Sequence, residues 1–290
     1  MYSTQSTLAT RFSGRTSHTL RSEQPLSEDQ MRAAAPSIFA EGKHVSRSDR
    51  YTYIPTIDVL RGLRKEGFEP FMVTQGASLV EGKADFTKHM IRMRHAGQVQ
   101  TKPEASEVIL INSHDGASSY RMLAGMIRFV CCNGLVVGDV VEDIRIPHKG
   151  SIQNDVIEGA FRVLRQFELV EAHAEVMKAV QLEPREQTAF ATAALALRFG
   201  EQVIEETGGH RPAPITAEQL TQARRPEDVG RSLWKTFQCV QENVIRGGQL
   251  GRTAQGRRMQ TRPVGGIDRG VSLNRALWML AEEMRKLKAD

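Results

Sequence analysis

Hydrophobic positions recur with two different periods along the chain, and the change falls near residue 150. Before it, short runs rich in β-branched and aromatic residues stand at 51–55, 68–75, 107–112 and 126–137. After it, apolar residues recur every three to four positions, which is typical of helices. The pattern predicts an α+β fold with an antiparallel sheet core between residue 51 and about residue 146, followed by a mainly helical half.

The first half also contains helix and turn signals. Apolar residues at helical spacing in 57–63, followed by Gly67, predict an early helix that ends at this glycine. The Asp115–Gly116 pair lies between two strand patterns and predicts a hairpin. Alternation over residues 90–95 predicts a strand with one charged face, which is either a contact surface or a solvated side.

In the second half, an apolar stripe from Val156 to Val170 continues toward Leu182. It predicts one long helix, or two helices joined end to end. The 3.6-residue period and capping residues predict further helices in segments 186–199, 216–222, 225–245 and 272–288. Ser272 is the expected N-cap of the last one.

The chain is predicted to have three parts. Residues 1–50 are rich in Ser, Thr, Arg and Gly, which favours a flexible N-terminal arm with one short helix between Ser27 and Pro36. This arm either docks on a neighbouring subunit or nucleic acid, or is a free tail. An α+β core domain is predicted over 51–215, and a helical C-terminal region with a basic Gly/Arg-rich loop over 216–290.

Composition narrows the class of protein. The 290 residues are 40% hydrophobic, and the net charge is +5 with a pI near 9.2, which favours nucleic acid or an acidic protein surface as partner. Three cysteines, of which Cys131 and Cys132 are adjacent, cannot form a disulfide framework, so we expect a cytoplasmic protein and a structural role for this pair. No apolar run approaches the ~20 residues of a membrane span.

The basic loop, residues 246–275, carries the sharpest functional signal. It combines many Gly and Arg residues with a single acid, Asp268. Guanidinium groups can fork onto phosphates and glycines permit close backbone approach, although a linker whose charge serves solubility has the same composition. Together with the charged strand face, it gives the candidate DNA-binding residues Lys88, Arg92, Arg94, Arg128, Arg246, Arg252, Arg257, Arg258, Arg262 and Arg269.

Motifs for catalysis do not emerge from the sequence. It contains no GxxxxGKS/T loop, HExxH, CxxC or GxSxG pattern. An acidic group of Asp139, Glu142 and Asp143 could hold Mg²⁺, but a solvated turn explains it as well. We therefore expect neither an enzyme nor a cofactor.

Three segments carry a resemblance to a known family: residues 128–137, the long helix after residue 151, and residues 272–278. They resemble an uncharacterised family of plasmid and prophage proteins of the YubP, YfjQ and YafZ type. The resemblance covers most of the chain after residue 45, and its most specific part is the Cys-Asn-Gly turn at 132–134. It implies DNA metabolism on a mobile element without naming an activity.

A second resemblance concerns the order of elements. An apolar helix ending at Gly67, a strand at 68–75, a meander and a long helix are similar to the single-strand annealing proteins of the Rad52 and phage Red-beta kind. This resemblance implies a homo-oligomeric ring or filament that holds single-stranded DNA in a basic groove. The sequence thus predicts a non-catalytic single-stranded DNA binder; the alternative is an interaction protein that inhibits a host defence or repair factor.

Overall fold

The computed structural model describes residues 18–42, 53–78, 83–98, 104–129, 133–137, 143–147, 152–200, 203–204, 209–210 and 213–289. Its contacts divide the chain into two compact units. The first comprises residues 1–134 and 141–167, and the second comprises residues 135–140 and 168–290. The predicted boundary at residue 215 does not coincide with this division.

An antiparallel sheet forms the centre of the first unit. The strands are β1 (His18–Arg21), β2 (Phe68–Gln75), β3 (His89–His95), β4 (Glu104–Asn112), β5 (Tyr120–Arg128), β6 (Asn133–Val136) and β7 (Ile144–Ile146). They are ordered β1-β2-β3-β4-β5-β6, and β7 also pairs with β5. The predicted hairpin is confirmed between β4 and β5, where the Asp115 carboxylate accepts a hydrogen bond from the Ala117 amide at 2.9 Å. The predicted α+β class is confirmed.

Three helices pack with this sheet: α1 (Glu28–Ala34), α2 (Thr56–Lys65) and α3 (Ile152–Arg165). The predicted cap of α1 is confirmed, since Ser27 and Gln30 form a capping box. Helix α2 buries Val59, Leu60 and Leu63 and is followed by Gly67 at φ +87°, as its pattern predicts. Helix α3 packs against α2 and β5.

The N-terminal arm was predicted to be flexible, but residues 18–42 pack on the core of the first unit. Strand β1 pairs with β2, and Leu26, Met31 and Ile38 are completely buried. The few apolar residues of this segment are enough to tie it to the core, which its polar composition conceals. The strand predicted at 51–55 is not formed at residues 53–55, which lead into α2; the other residues of the arm and of this run lie outside the described ranges.

The second unit is mainly helical. It contains α4 (Phe167–Ala179), α5 (Pro184–Phe199), α6 (Ala217–Thr221), α7 (Leu233–Arg246) and α8 (Ile267–Leu287), with two short strand pairs, β8 (Val203–Ile204) with β9 (Gly209–His210) and β10 (Leu250–Arg252) with β11 (Arg258–Gln260). Buried Trp278 of α8 meets Phe237 and Trp234 of α7 edge to face, with ring centroids 5.8 and 6.3 Å away. In the described part of the chain, no helix has the length and apolar character needed to cross a bilayer.

Three helix predictions change in detail. The helix predicted over 225–245 begins at Leu233, after a short 3-10 turn at Pro226–Asp228. The stripe after residue 151 forms two helices, α3 and α4, which was one of the two predicted arrangements. Helix α8 begins at Ile267, so Ser272 lies inside it rather than at its cap. The earlier start buries Ile267 and Val271, which extend the apolar face of the helix.

Candidate nucleic-acid interface

The predicted basic loop contains a β-hairpin, formed by β10 and β11. Leu250 faces Gln260 across the two strands, and Arg252 faces Arg258. These four side chains alternate with the half-buried Gly251 and Met259, so they share the outer face of the hairpin. Leu250 is 73% exposed. The outer face therefore combines two cations with an accessible apolar side chain.

The turn that joins the strands is closed by its own hydrogen bonds. The Thr253 amide donates to the Arg257 carbonyl and the Gly256 amide to the Thr253 carbonyl, each at 2.9 Å. The Arg252 guanidinium also donates to the Gly256 carbonyl at 2.9 Å. Arg257 is exposed at this tip. The arginines thus stand on a defined scaffold, whereas the sequence predicted only a loop.

A glycine seats the hairpin on the segment before α6. A Cβ added at Gly251 would collide with the Pro214 carbonyl oxygen, which accepts a hydrogen bond from the Arg252 amide at 2.9 Å. The Gln219 side-chain amide donates to the Leu250 carbonyl at 2.7 Å. Close backbone approach at Gly251 is therefore part of what orients the outer face.

The base of the hairpin is held by α7. The Gly248 amide donates to the Thr261 carbonyl at 2.7 Å, and the Thr261 amide donates to the Gln249 carbonyl at 2.9 Å. The Gln249 side chain in turn donates to the buried Asn243 of α7 at 2.9 Å. These bonds connect the hairpin to the helical core of its unit.

The hairpin arginines are not neutralised by acids. Among the described residues, none of Arg252, Arg257, Arg258 and Arg262 has a carboxylate within 4.0 Å, and all four are exposed. Like charges directly opposite on paired strands destabilise the pair, so an anion on this face would relieve the repulsion between Arg252 and Arg258. Arg246 differs, because Glu242 accepts a hydrogen bond from it at 2.9 Å.

A second basic cluster adjoins the first and includes a residue that the sequence reasoning missed. Arg198, in the last turn of α5, donates to the Arg262 carbonyl at 3.0 Å, and Arg269 of α8 donates to the Arg198 carbonyl at 3.3 Å. Burial, together with the positive charge of Arg269, lowers the pKa of Arg198. The signal for Arg198 was weak, because a cation in the last turn of a helix ordinarily serves the helix itself.

The predicted charged face of β3 is mostly enclosed. Arg92 is 3% exposed and its guanidinium lies 2.5 Å from the Glu107 carboxylate of β4. Arg94 reaches the other oxygen of Glu107 at 3.1 Å and covers the Phe71 ring, 4.0 Å from its centroid. Arg92 and Arg94 do lie on one face of β3, as the alternation predicts. They pair there with the buried Glu107 carboxylate of the neighbouring strand instead of facing solvent.

Lys88 and Arg128 do not join them in one patch. Lys88 precedes β3 at the end where His89 pairs with Asn112, whereas Arg128 pairs with Glu104 at the other end of β4. Eight residues of strand separate the two ends, roughly 27 Å. Of the predicted DNA-binding residues, the structure therefore groups those of the hairpin on an exposed face, whereas on the sheet it brings Arg92 and Arg94 together on Glu107 and holds Lys88 and Arg128 apart.

Gly134 has a packing role beside the buried ion pair. A Cβ at this position would collide with the Arg92 guanidinium. The structure places Asn133 and Gly134 at the start of β6 rather than in the predicted tight turn. A larger residue here would therefore have to displace the Arg92 guanidinium from its place beside Glu107. Cys131 and Cys132 lie outside the described residues.

Asp143, the described member of the predicted acidic group, is paired with arginines, and the described cysteine, Cys239, is buried. Asp143 pairs with Arg121 at 3.0 Å and Arg145 at 3.6 Å, while Asp139 and Glu142 lie outside the described residues. Within the described ranges, no group of three or more His, Cys, Asp or Glu residues could hold a metal ion. Burial raises the pKa of Cys239 to about 12, which keeps it a thiol.

Comparison with known proteins places the chain in a family. Residues 43–278 match the family profile described as a domain of unknown function, DUF932. The chain is 47% identical over 277 residues to each of two Escherichia coli (strain K12) proteins, UPF0380 protein YafZ and UPF0380 protein YfjQ, and the alignment covers 96% of this chain and 97% of each relative. No solved structure matches the chain. The predicted resemblance to the YfjQ and YafZ type is confirmed, and the chain belongs to the DUF932 family.

Proposed function

We propose that this protein is a non-catalytic single-stranded DNA-binding protein and that the outer face of the β10–β11 hairpin holds the DNA backbone. The observation that carries this proposal is the cross-strand pair of Arg252 and Arg258, exposed and without an acidic partner among the described residues. Arg257 and Arg262 extend the same unneutralised charge. Guanidinium groups suit phosphates because they donate two parallel hydrogen bonds.

The same face favours a single strand over a duplex. Leu250, 73% exposed beside Arg252, can contact an unstacked base or a sugar while the arginines hold phosphates. Only 6% of the chain is aromatic, so extensive base stacking is not expected and backbone contacts should supply most of the affinity. Following the resemblances in the sequence, the proposal includes a cytoplasmic homo-oligomer of annealing-protein type, encoded on a plasmid or prophage.

A quantitative binding assay tests the proposal. Fluorescence anisotropy with a single-stranded oligonucleotide, repeated over a salt series, should give an affinity that falls steeply with salt. Replacing Arg252, Arg257, Arg258 and Arg262 together by Ala should weaken binding and flatten the slope of log affinity against log salt by roughly 0.7 for each lost phosphate contact. Replacement by Lys should restore only part of the affinity, since a point charge lacks the bidentate fork.

Two results would count against this function. One is a wild-type protein that binds neither single- nor double-stranded DNA at low salt. The other is a quadruple variant, with unchanged circular dichroism, whose affinity and salt slope equal those of the wild type. A stable complex with a host protein that survives nuclease treatment, without affinity for DNA, would instead favour the inhibitor alternative.

A further inference from the structure

Helix α4 has apolar residues on two opposite faces, and one of these faces is exposed. The buried face includes Val170, Ala174 and Met177, each at most 2% exposed. The exposed face consists of four residues that we call the α4 seam: Leu169, Ala172, Val176 and Ala179. A helix that is apolar all round is normally buried on every side. The α4 seam is therefore suited to contact with another chain.

The spacing of the α4 seam is that of a coiled-coil interface. Its four residues follow one another at intervals of three, four and three, as positions a and d of a heptad do. Leu169 is 47% exposed and Val176 is 44% exposed. An a/d seam pairs with another helix, because each apolar side chain fits a hole between four residues of that helix. The spacing thus favours a helical occupant.

A cavity beside the α4 seam extends the apolar surface onto α8. It measures about 290 Å³, and Leu169 of the seam and Met279 of α8 both line it. Met279 is 42% exposed, and its flexible thioether can adapt to an incoming side chain. Pockets for drug-sized ligands run from roughly 300 to 1,000 Å³. This cavity therefore suits one apolar side chain of a partner better than a small molecule.

Polar groups beside the seam indicate the charge of the partner. Glu168 and Glu175 occupy the flanking g positions of the two heptads; Glu175 pairs with Lys178 at the surface, and Glu168 has no cation within 4.0 Å among the described residues. On the other flank, His173 donates from Nδ1 to the Glu282 carboxylate at 2.9 Å, and its Nε2 makes no hydrogen bond within the described ranges. In a neutral imidazole this Nε2 is an acceptor. A lysine or arginine suits both flanks, whereas nucleic acid or a second copy of the seam would bring further negative charge.

We propose that the α4 seam and the adjoining cavity bind an amphipathic helix with basic flanks, presented by a partner protein. The apolar residues of that helix cover the seam, and one of them enters the cavity beside Met279. Its Lys or Arg residues meet Glu168, Glu175 and His173. This surface shares no residue with the β10–β11 hairpin, so the inference goes beyond the proposed function and does not depend on it.

Two synthetic peptides of opposite charge test the proposal. Both are three heptads long, with leucine at a and alanine at d; one has lysine at e and g, and the other has glutamate there. In anisotropy titrations the wild type should bind the lysine peptide about tenfold more tightly than the glutamate peptide, because opposite charges attract across the rim and like charges repel. The double variant Glu168→Gln, Glu175→Gln should lower this ratio.

A matched pair of substitutions locates the binding surface. Leu169→Gln should weaken binding of the lysine peptide about tenfold, because it removes an apolar contact while keeping a side chain of similar helix propensity. Leu197→Gln on α5 is the control and should keep wild-type affinity, since Leu197 is 45% exposed and does not line the cavity. If Leu169→Gln is misfolded by circular dichroism, Met279→Gln takes its place and should also weaken binding.

Several outcomes would overturn this inference. They are a wild type that binds neither peptide, equal affinity for the two peptides, and wild-type affinity in both Leu169→Gln and Met279→Gln. A wild-type dimer in light scattering that Leu169→Gln converts to a monomer would assign the seam to a second copy instead. Binding to oligonucleotides, measured separately, is unaffected by any of these results, so the docking surface and the proposed function can fail independently.

Discussion

The Thr56 hydroxyl of α2 is surrounded by polar side chains in the core of the first unit. Its oxygen lies 2.9 Å from His89 Nε2, 3.0 Å from Asn112 Nδ2 and 3.1 Å from His114 Nε2. His89 Nδ1 also lies 2.9 Å from the Ser37 hydroxyl. All five residues are completely buried. A hydroxyl beside an imidazole suits nucleophilic catalysis, but full burial denies access to a substrate, so this network serves stability.

Because the network is buried, it should make the fold sensitive to acid. Burial, with the charge of His114 adding to it, lowers the pKa of His89 to about 3 from an ordinary 6.5. The unfolded chain therefore binds the proton first, and the stabilising contribution is complete above pH 6.5 and is lost as the pH falls toward 3. Urea unfolding should show a decline of up to ~1.4 kcal/mol per pH unit from this one group.

The matched variants for this measurement are His89→Gln and Ile91→Val. Gln keeps hydrogen-bonding atoms but cannot titrate. The slope of the free energy of unfolding against pH should therefore be smaller in His89→Gln than in the wild type, by up to the ~1.4 kcal/mol per pH unit that one proton contributes. Val in the same strand removes a buried methylene and should lower stability without altering the slope. Identical slopes in the wild type and His89→Gln would show that His89 is not the acid-sensitive group.

The buried ion pair between Arg92 and Glu107 makes a second prediction about single residues. Arg92→Ala leaves a carboxylate that is 1% exposed with Arg94 as its remaining ionic partner, and should lower the free energy of unfolding by about 3–5 kcal/mol. Arg61→Ala is the control, since its pairs with Glu28 and Asp58 are on the surface and solvent screens them. Chemical denaturation of both variants gives the comparison; similar losses would mean that burial adds nothing to the pair.

At the scale of elements, the sequence predicted those strands and helices whose formation depends on residues close together along the chain. Strand β2 has the predicted bounds, 68–75, because its apolar residues and flanking Gly67 are sufficient signals. Strand β1 was missed because four residues of mixed character become a strand only by pairing with β2. The β10–β11 hairpin was missed for a related reason, since its position depends on a contact between Gly251 and Pro214, which lies 37 positions earlier along the chain.

That seat can be tested without changing any charge. Gly251→Ala should push β10 away from the Pro214 carbonyl, lower stability by about 1–3 kcal/mol and weaken DNA binding by disordering Arg252 and Arg258. Gly42→Ala, where a Cβ would meet no atom within 4 Å, is the control substitution. The melting temperature and the affinity for DNA should both fall in Gly251→Ala, and neither should fall in the control. Wild-type affinity in Gly251→Ala would mean that the orientation of the hairpin is unimportant for binding.

Across the whole molecule, composition predicted which segment carries the charge but not how the charge is arranged. Residues 246–275 were singled out by their Arg and Gly content, and the structure places Arg252, Arg257, Arg258 and Arg262 there on one exposed scaffold. Arg92 also lies in a basic stretch of the sequence, but it forms a buried ion pair with Glu107 on the next strand. Arg198 joined the site only through contacts made by the folded chain. Long-range pairing therefore decides which cations remain available to a ligand.

This distinction yields a prediction about net charge. Replacing Arg252, Arg257, Arg258 and Arg262 by Ala takes the net charge from +5 to +1. A control variant makes the same change in charge through four exposed cations outside the hairpin, Lys65, Arg185, Arg231 and Lys286. If affinity depends on the overall field, both variants should lose it equally, because diffuse charge attracts DNA without specific contacts. We expect the control to keep most of its affinity and the full salt slope, while the hairpin variant loses both, since only phosphates held at the surface release counterions in proportion to contacts. The affinity of both variants would be measured at one ionic strength and again across the salt series. Equal losses of affinity would mean that the hairpin arginines contribute only through the overall positive charge of the protein.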